Sequence, residues 1–189
     1  IKWNLSRFAE CLIPLIDKNE DTAIKIATEI IENFEKIYQK KWLNMMRDKL
    51  GLFGEDTNDR ALINSLLSWM EDNKADYTNT FCYLMNVKVT DSGIYNDKGF
   101  INWLNIWKKR SLLNNGSKEK QLQIMQNVNP SVIPRNHKVE EALTAANDNN
   151  LKVMYKLLSV LNKPYDNQKD IEEYQSPSDN NEYQTFCGT

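Results

Sequence analysis

The chain has 189 residues, the size of a single domain, and its 41% hydrophobic and 26% charged content is that of an ordinary soluble globular protein able to bury a core. Its 24 basic and 26 acidic residues leave a formal charge of −2, which excludes a general field for holding a nucleic-acid backbone or an anionic membrane. No apolar run approaches the ~18–20 residues of a membrane span and no signal-peptide core is present, so a cytoplasmic location without membrane or nucleic-acid partners is expected.

Apolar residues at helical spacing dominate and predict an all-α domain of about seven to nine helices with little or no sheet. Residues 1–15 carry a stripe of Trp3, Leu5, Phe8, Leu12 and Leu15, with Asn4 as the expected N-cap and Pro14 as a late kink or stop. Residues 21–49 form the longest predicted helix, opened by Asp21 and Thr22 and stopped at Gly51. Residues 58–71 repeat the pattern, and 76–85 form a short helix with Asp76 or Thr78 near its cap. Residues 87–98 are irregular, with Gly93, Asn96 and Asp97 as turn formers. A helix follows over 99–113, with a broad apolar face from Phe100 to Trp107. Ser117 caps another, which runs to about residue 128. Asn129-Pro130 and Ile133-Pro134 then break the chain, and helices resume over 137–147 and 151–161. From Pro164 on, polar residues prevail. Residues 1–163 therefore read as a helical domain, and 164–189 as an extended polar tail.

Residues able to carry chemistry are few. The three cysteines, Cys11, Cys82 and Cys187, are odd in number and far apart, which argues against a disulfide framework or a zinc site. Cys11 and Cys82 sit among apolar neighbours and read as buried. Cys187 lies in the polar tail and is expected to be the most accessible thiol. No glycine forms a dinucleotide or phosphate loop. The single histidine, His137, opens a helix and reads as a capping or inter-helix hydrogen-bonding group rather than a catalytic one. The acids Glu71 and Asp72 beside Asp76 read as a solvated helix end, not a cation site. Trp103 and Trp107 read as core, not as a ligand platform. Lys108-Lys109-Arg110 reads as positive charge placed against a helix C-terminus. The chain opens on Ile1 rather than Met and is read as a piece of something longer. The residues alone leave two readings open: part of an enzyme, or a non-enzymatic helical interaction module.

Six strings, in order, go beyond generic helices. Trp3-Asn4-Leu5-Ser6-Arg7-Phe8-Ala9-Glu10, Met46-Arg47-Asp48-Lys49-Leu50-Gly51-Leu52 and Asp76-Tyr77-Thr78-Asn79-Thr80-Phe81 resemble segments of the selenoprotein O (SelO) family. So do Asn129-Pro130-Ser131-Val132-Ile133-Pro134-Arg135-Asn136-His137, Pro164-Tyr165 and the ending Tyr183-Gln184-Thr185-Phe186-Cys187-Gly188-Thr189. The resemblance implies the C-terminal helical part of a protein-kinase-like fold whose full-length parent transfers AMP from ATP to protein Ser, Thr or Tyr hydroxyls. It implies ATP and Mg²⁺ for that parent, protein substrates, and the upstream kinase-like portion as this chain's partner. The nucleotide-handling residues of the family lie upstream, so no catalytic, cofactor-binding or metal residue is assigned here. Cys187 is the one functional position carried over, as a redox residue like that of bacterial members, expected to pair with a cysteine near the catalytic cleft of the parent.

The longest of these strings has its own physical reading. Asn129-Pro130 ends one helix, Pro134 sets the entry to the next, and Asn136 is expected to cap it. Arg135 and His137 project from that corner, with Glu140 or an acid elsewhere anchoring Arg135. The corner is expected either to organise helix packing or to contact the kinase-like portion.

Overall fold

The structure, a computed structural model, describes residues 1–90, 92–113 and 117–178. Among these the fold is all-α, with no strand. The elements in order are α1 (Lys2–Ile16), α2 (Glu20–Lys49), α3 (Asp59–Asp72), α4 (Tyr77–Leu84), a 3-10 turn (Gly93–Asn96), α5 (Lys98–Ser111), α6 (Lys118–Val128), α7 (Asn136–Asn147), α8 (Lys152–Leu161) and α9 (Glu172–Gln175). The chain divides into two compact units, Ile1–Met46 and Arg47–Thr189. No helix among the described residues is long and apolar enough to cross a membrane.

The first unit holds α1 and most of α2. Asn4 does not cap α1. The Leu5 amide already donates to the Ile1 carbonyl at 2.9 Å, so the helix starts before it. Pro14 lies inside the last turns, and α1 runs on to Ile16, where Asp17 turns extended. A proline there removes one intrahelical bond only, which a helix near its end tolerates. The cap of α2 lies two residues before the predicted start: Asn19 Oδ1 accepts the Thr22 amide at 2.9 Å. No residue of α1 is buried, and Cys11, expected to be buried, is exposed. Its neighbours Ala9, Leu12 and Ile13 are only half-buried, because little of the chain covers that face.

In the second unit, α2 ends as its sequence predicts. Gly51 adopts φ +61°, its amide donates to the Asp48 carbonyl at 3.0 Å, and the Leu52 amide donates to Arg47 at 2.9 Å. These paired bonds close the last carbonyls of the helix around a left-handed glycine. Asp97 caps α5 by accepting the Phe100 amide at 3.0 Å, and its other acceptor capacity takes the Trp69 indole N–H at 2.8 Å. The Trp69 bond, then the Phe100 amide, hold its carboxyl below the ordinary range.

The core around α3 and α5 is aromatic. The Trp69 and Phe100 rings lie 4.6 Å apart and the Trp103 and Trp107 rings 6.1 Å apart. Both α5 indoles are buried and donate to backbone carbonyls, Trp103 to Leu62 at 2.8 Å and Trp107 to Leu50 at 2.9 Å. They are core residues, as read from sequence. A second cluster joins α7 and α8 through Val132, Ala142, Leu157 and Val160, and it includes Ile171 and Tyr174. The segment after Pro164 is therefore not extended throughout: α9 forms in it, and Ile171, Tyr174 and Gln175 are buried. Three-residue spacing places Ile171 and Tyr174 on one side of a helical turn, a signal too short to stand out among polar neighbours. Residues 179–189, including Cys187, lie outside the described residues.

Gly51→Ala tests this helix ending. A Cβ there would lie 2.5 Å from Gln121 Cγ and 2.9 Å from Met125 Cγ, on a backbone of positive φ. Strain and overlap together are expected to lower stability by about 1–3 kcal/mol, read as a drop in urea midpoint without a change of slope.

Candidate functional site

The broken segment between α6 and α7 is where the second unit is tied together. Asn129, 1% exposed, follows α6, and its amide faces the end of α2. Its Nδ2 donates to the Lys49 carbonyl at 2.9 Å, and its Oδ1 accepts Lys49 Nζ at 3.0 Å. Lys49 also donates to the Val128 carbonyl at 3.4 Å, and its ammonium sits 4.8 Å from the Phe81 ring centre and 5.5 Å from that of Tyr77. These partners are neutral, and burial lowers the Lys49 ammonium from its ordinary value.

Pro130 prevents α6 from continuing and leaves its carbonyl free to accept the Cys82 thiol at 3.6 Å. Cys82 is fully buried, as expected, and burial followed by the nearby Asp76 charge pushes its thiol up to about 11. It is a protected structural thiol. The Ser131 amide donates to the Pro164 carbonyl at 2.6 Å, its hydroxyl to that of Asp166 at 2.8 Å, and its own carbonyl accepts Gln175 Nε2 at 2.8 Å. The stretch thereby fastens both the end of α8 and α9.

Pro134 is exposed and delivers the chain to α7. Arg135 then reaches α4. Its Nη1 donates to Asp76 Oδ2 at 2.6 Å and its Nη2 to Asp76 Oδ1 at 2.9 Å, a bidentate fork with side chains only 11% and 19% exposed. The same Nη2 donates to the Gln175 carbonyl at 2.8 Å. Asp76 simultaneously caps α4, accepting the Asn79 amide at 2.8 Å. Burial alone would raise its carboxyl, but Arg135, the Asn79 amide and the guanidinium charge outweigh that and hold it below the usual range. The anchor of Arg135 is thus Asp76 rather than Glu140. Asn136 does not cap α7: Arg135 occupies the cap position without a side-chain cap bond, and Asn136 is the first helical residue. His137 is half-buried in the first turn of α7, and among the described residues its ring makes no capping or inter-helix hydrogen bond.

A second buried ion centre went unseen in the sequence. Asp59, fully buried at the start of α3, accepts Arg47 Nε at 2.7 Å and Arg110 Nε at 2.6 Å. Arg110 also donates to the Phe53 and Gly54 carbonyls at 3.2 and 3.3 Å. Burial opposes the charge on Asp59, and the two arginines more than offset it, so its carboxyl titrates below the ordinary value. Arg110 stands in the last turn of α5, as expected of the basic run, and is buried there against Asp59. A charge alternation of helical spacing gave no hint, because its partner lies 51 residues away.

Both buried carboxylates are thus consumed by arginines, and no group of three or more His, Cys, Asp or Glu able to hold a metal ion exists among the described residues. The corner is a structural knot that joins the 76–81 string to the 129–137 string. The family model described as protein adenylyltransferase SelO matches residues 1–162. The chain belongs to the SelO family. It is 53% identical over 190 residues to the protein nucleotidyltransferase YdiU of Pelagibacter ubique (strain HTCC1062), covering 100% of this chain and 39% of that relative. It is 45% identical to the protein of the same name in Alkaliphilus metalliredigens (strain QYMF) and 44% to that of Clostridium perfringens (strain 13 / Type A), in each case over 99% of this chain and 39% of the relative. This SelO-family chain spans about 39% of the length of the curated relatives it matches.

Arg135→Ala is expected to cost about 3 kcal/mol, because it leaves a mostly buried carboxylate without its partner. The Asp76 carboxyl titrates lower in the folded than in the unfolded chain. Its contribution is therefore complete above the ordinary carboxylate value of ~3.9 and is lost as pH falls through the lower folded value. Urea midpoints measured from about pH 6 down to pH 2 should fall less steeply for Asp76→Asn than for the unmutated chain.

Proposed function

We propose that this chain is the helical C-terminal portion of a longer SelO-family protein adenylyltransferase, and that it supports the catalytic lobes of that parent. In this reading the parent transfers AMP from ATP to Ser, Thr or Tyr hydroxyls of protein substrates. Family membership and the printed activity of the relatives support the reaction class. The supporting role rests on one observation: Trp3, Phe8, Leu15 and Ile30 of the first unit are 71%, 62%, 82% and 65% exposed. Large apolar side chains exposed on two successive helices support a surface that another body covers.

ATP and Mg²⁺ belong, in this proposal, to the part of the parent outside this chain. The donor set here does not fit them: Asp59 and Asp76 are neutralised by arginines, and the Lys49 ammonium is enclosed by carbonyls and rings. Phosphoryl-type transfer depends on positioned cations and metal-binding acids, and this arrangement offers none to a nucleotide. Cys187 is the proposed redox residue of the parent, which is placed in the cytoplasm of a bacterium.

The test compares the 189-residue chain with the full-length parent. Calorimetry is expected to show no micromolar Mg-ATP binding to the chain, and labelled ATP is expected to mark protein substrates only with the parent. Cys187→Ser should leave the parent active but no longer responsive to oxidant and reductant. Micromolar Mg-ATP binding to the chain, or a parent that transfers no nucleotide, would overturn the reading.

A further inference from the structure

Within the first unit, α1 and α2 meet at the Asp17–Asn19 turn, where the Asn19 amide donates to Asp17 Oδ1 at 2.8 Å. They enclose a cleft of about 820 Å³ lined only by residues of this unit. Its floor is apolar: Ala9, Ile13, Ile24, Ala27 and Ile31. Its rim is acidic: Glu10, Asp17, Glu20 and Glu32 stand against one lysine, Lys18. Glu10 is paired with Arg7, but both are more than half exposed, and such a pair is readily exchanged. Along α1 the cleft runs from Ser6 to Asp17, roughly 17 Å at 1.5 Å per residue, room for about three turns of helix.

We propose that this cleft is a docking groove for an amphipathic helix with Lys or Arg on its flanks, supplied by the part of the parent chain that lies outside these 189 residues. An apolar floor bounded by charge is the arrangement by which a groove receives a helix, with anchors at i, i+3, i+4 and i+7. Charge decides the chemistry of the occupant. A basic flank meets the four acids favourably, whereas a second copy of this chain would bring the same acidic rim against itself. Chain length decides the source: at 39% coverage, most of the parent lies outside this chain, and a covalent tether raises the effective concentration of its helices to about the millimolar range. The proposal rests on the reading of this chain as part of a longer parent, but not on the reaction that parent performs.

Two measurements test it, and neither reads nucleotide transfer, so its failure is distinct from failure of the functional reading. In the first, Thr28, an exposed residue of the groove, is replaced by photoreactive benzoylphenylalanine in the full-length parent, and the adduct is mapped by mass spectrometry. The expected adduct falls in one amphipathic, Lys- or Arg-flanked segment outside this chain. An adduct within this chain, on a second copy or on an acidic segment, or no adduct at all, would overturn the proposal. In the second, the 189-residue chain is titrated against a fluorescently labelled synthetic helix of leucines flanked by lysines and against its glutamate-flanked counterpart, and the anisotropy of the label is followed. The lysine helix is expected to bind at least tenfold more tightly, and Ile24→Glu to weaken it at least tenfold. Ile24 is 46% exposed, so this variant is expected to fold. Equal affinities for the two helices, or no effect of the variant, would count equally against the groove.

Discussion

The bidentate bond between Arg135 and Asp76 carries the second unit of this chain. Asp76 performs two tasks with one carboxylate, capping α4 and receiving the guanidinium. Arg135 also performs two, binding that carboxylate and the Gln175 carbonyl. At eight and four residues, α4 and α9 are too short to be stable helices by themselves. Their positions depend on this shared set of charge-assisted bonds, to which Asn129, Ser131 and Gln175 add neutral ones. Both Asp76 oxygens and both terminal nitrogens of Arg135 are hydrogen-bonded, while the buried Arg135 Nε has no partner among the described residues.

The Asp59 centre does the same work at the start of α3. It ties the start of α3 to the end of α5 and to Arg47, one turn before the glycine that stops α2. Trp103 and Trp107 lie along α5 between these anchors, and their indoles use the carbonyls of Leu62 and Leu50. Such a core is specified by hydrogen-bond geometry as well as by apolar volume, so substitutions that keep volume and lose a donor are penalised.

Helices were legible in the sequence because 3.6-residue spacing survives in every long element from α2 to α8. Caps were legible where a side chain and its amide are three residues apart, as at Asp76 and Ser117. The Asn4 expectation fails because the residues before it are already helical, and the Asn136 expectation because the cap position falls one residue earlier, on the extended Arg135. That an acid anchors Arg135 was legible, but which acid was not, since Arg135 and Asp76 are 59 residues apart and neither string names its partner; the Asp59 centre was not legible at all. Exposure of Cys11 was equally hidden, because its burial depends on what covers α1 and not on its neighbours in sequence. The candidate site was legible as a motif that organises helix packing, but the elements it joins were not. Only the structure shows that the 129–137 string binds the 76–81 string.

The motif residues of this SelO-family chain thus hold helices in place, and the chemistry of the parent is proposed to lie outside it. Native-state hydrogen exchange on the unmutated chain and on Arg135→Ala tests the central claim most directly, because it reads each helix separately. If Arg135 is the shared fastening, amides of α4 and α9 lose protection together while those of α3 and α5, held by Asp59, keep theirs. Loss confined to α7, or an equal loss across all helices, would contradict the account.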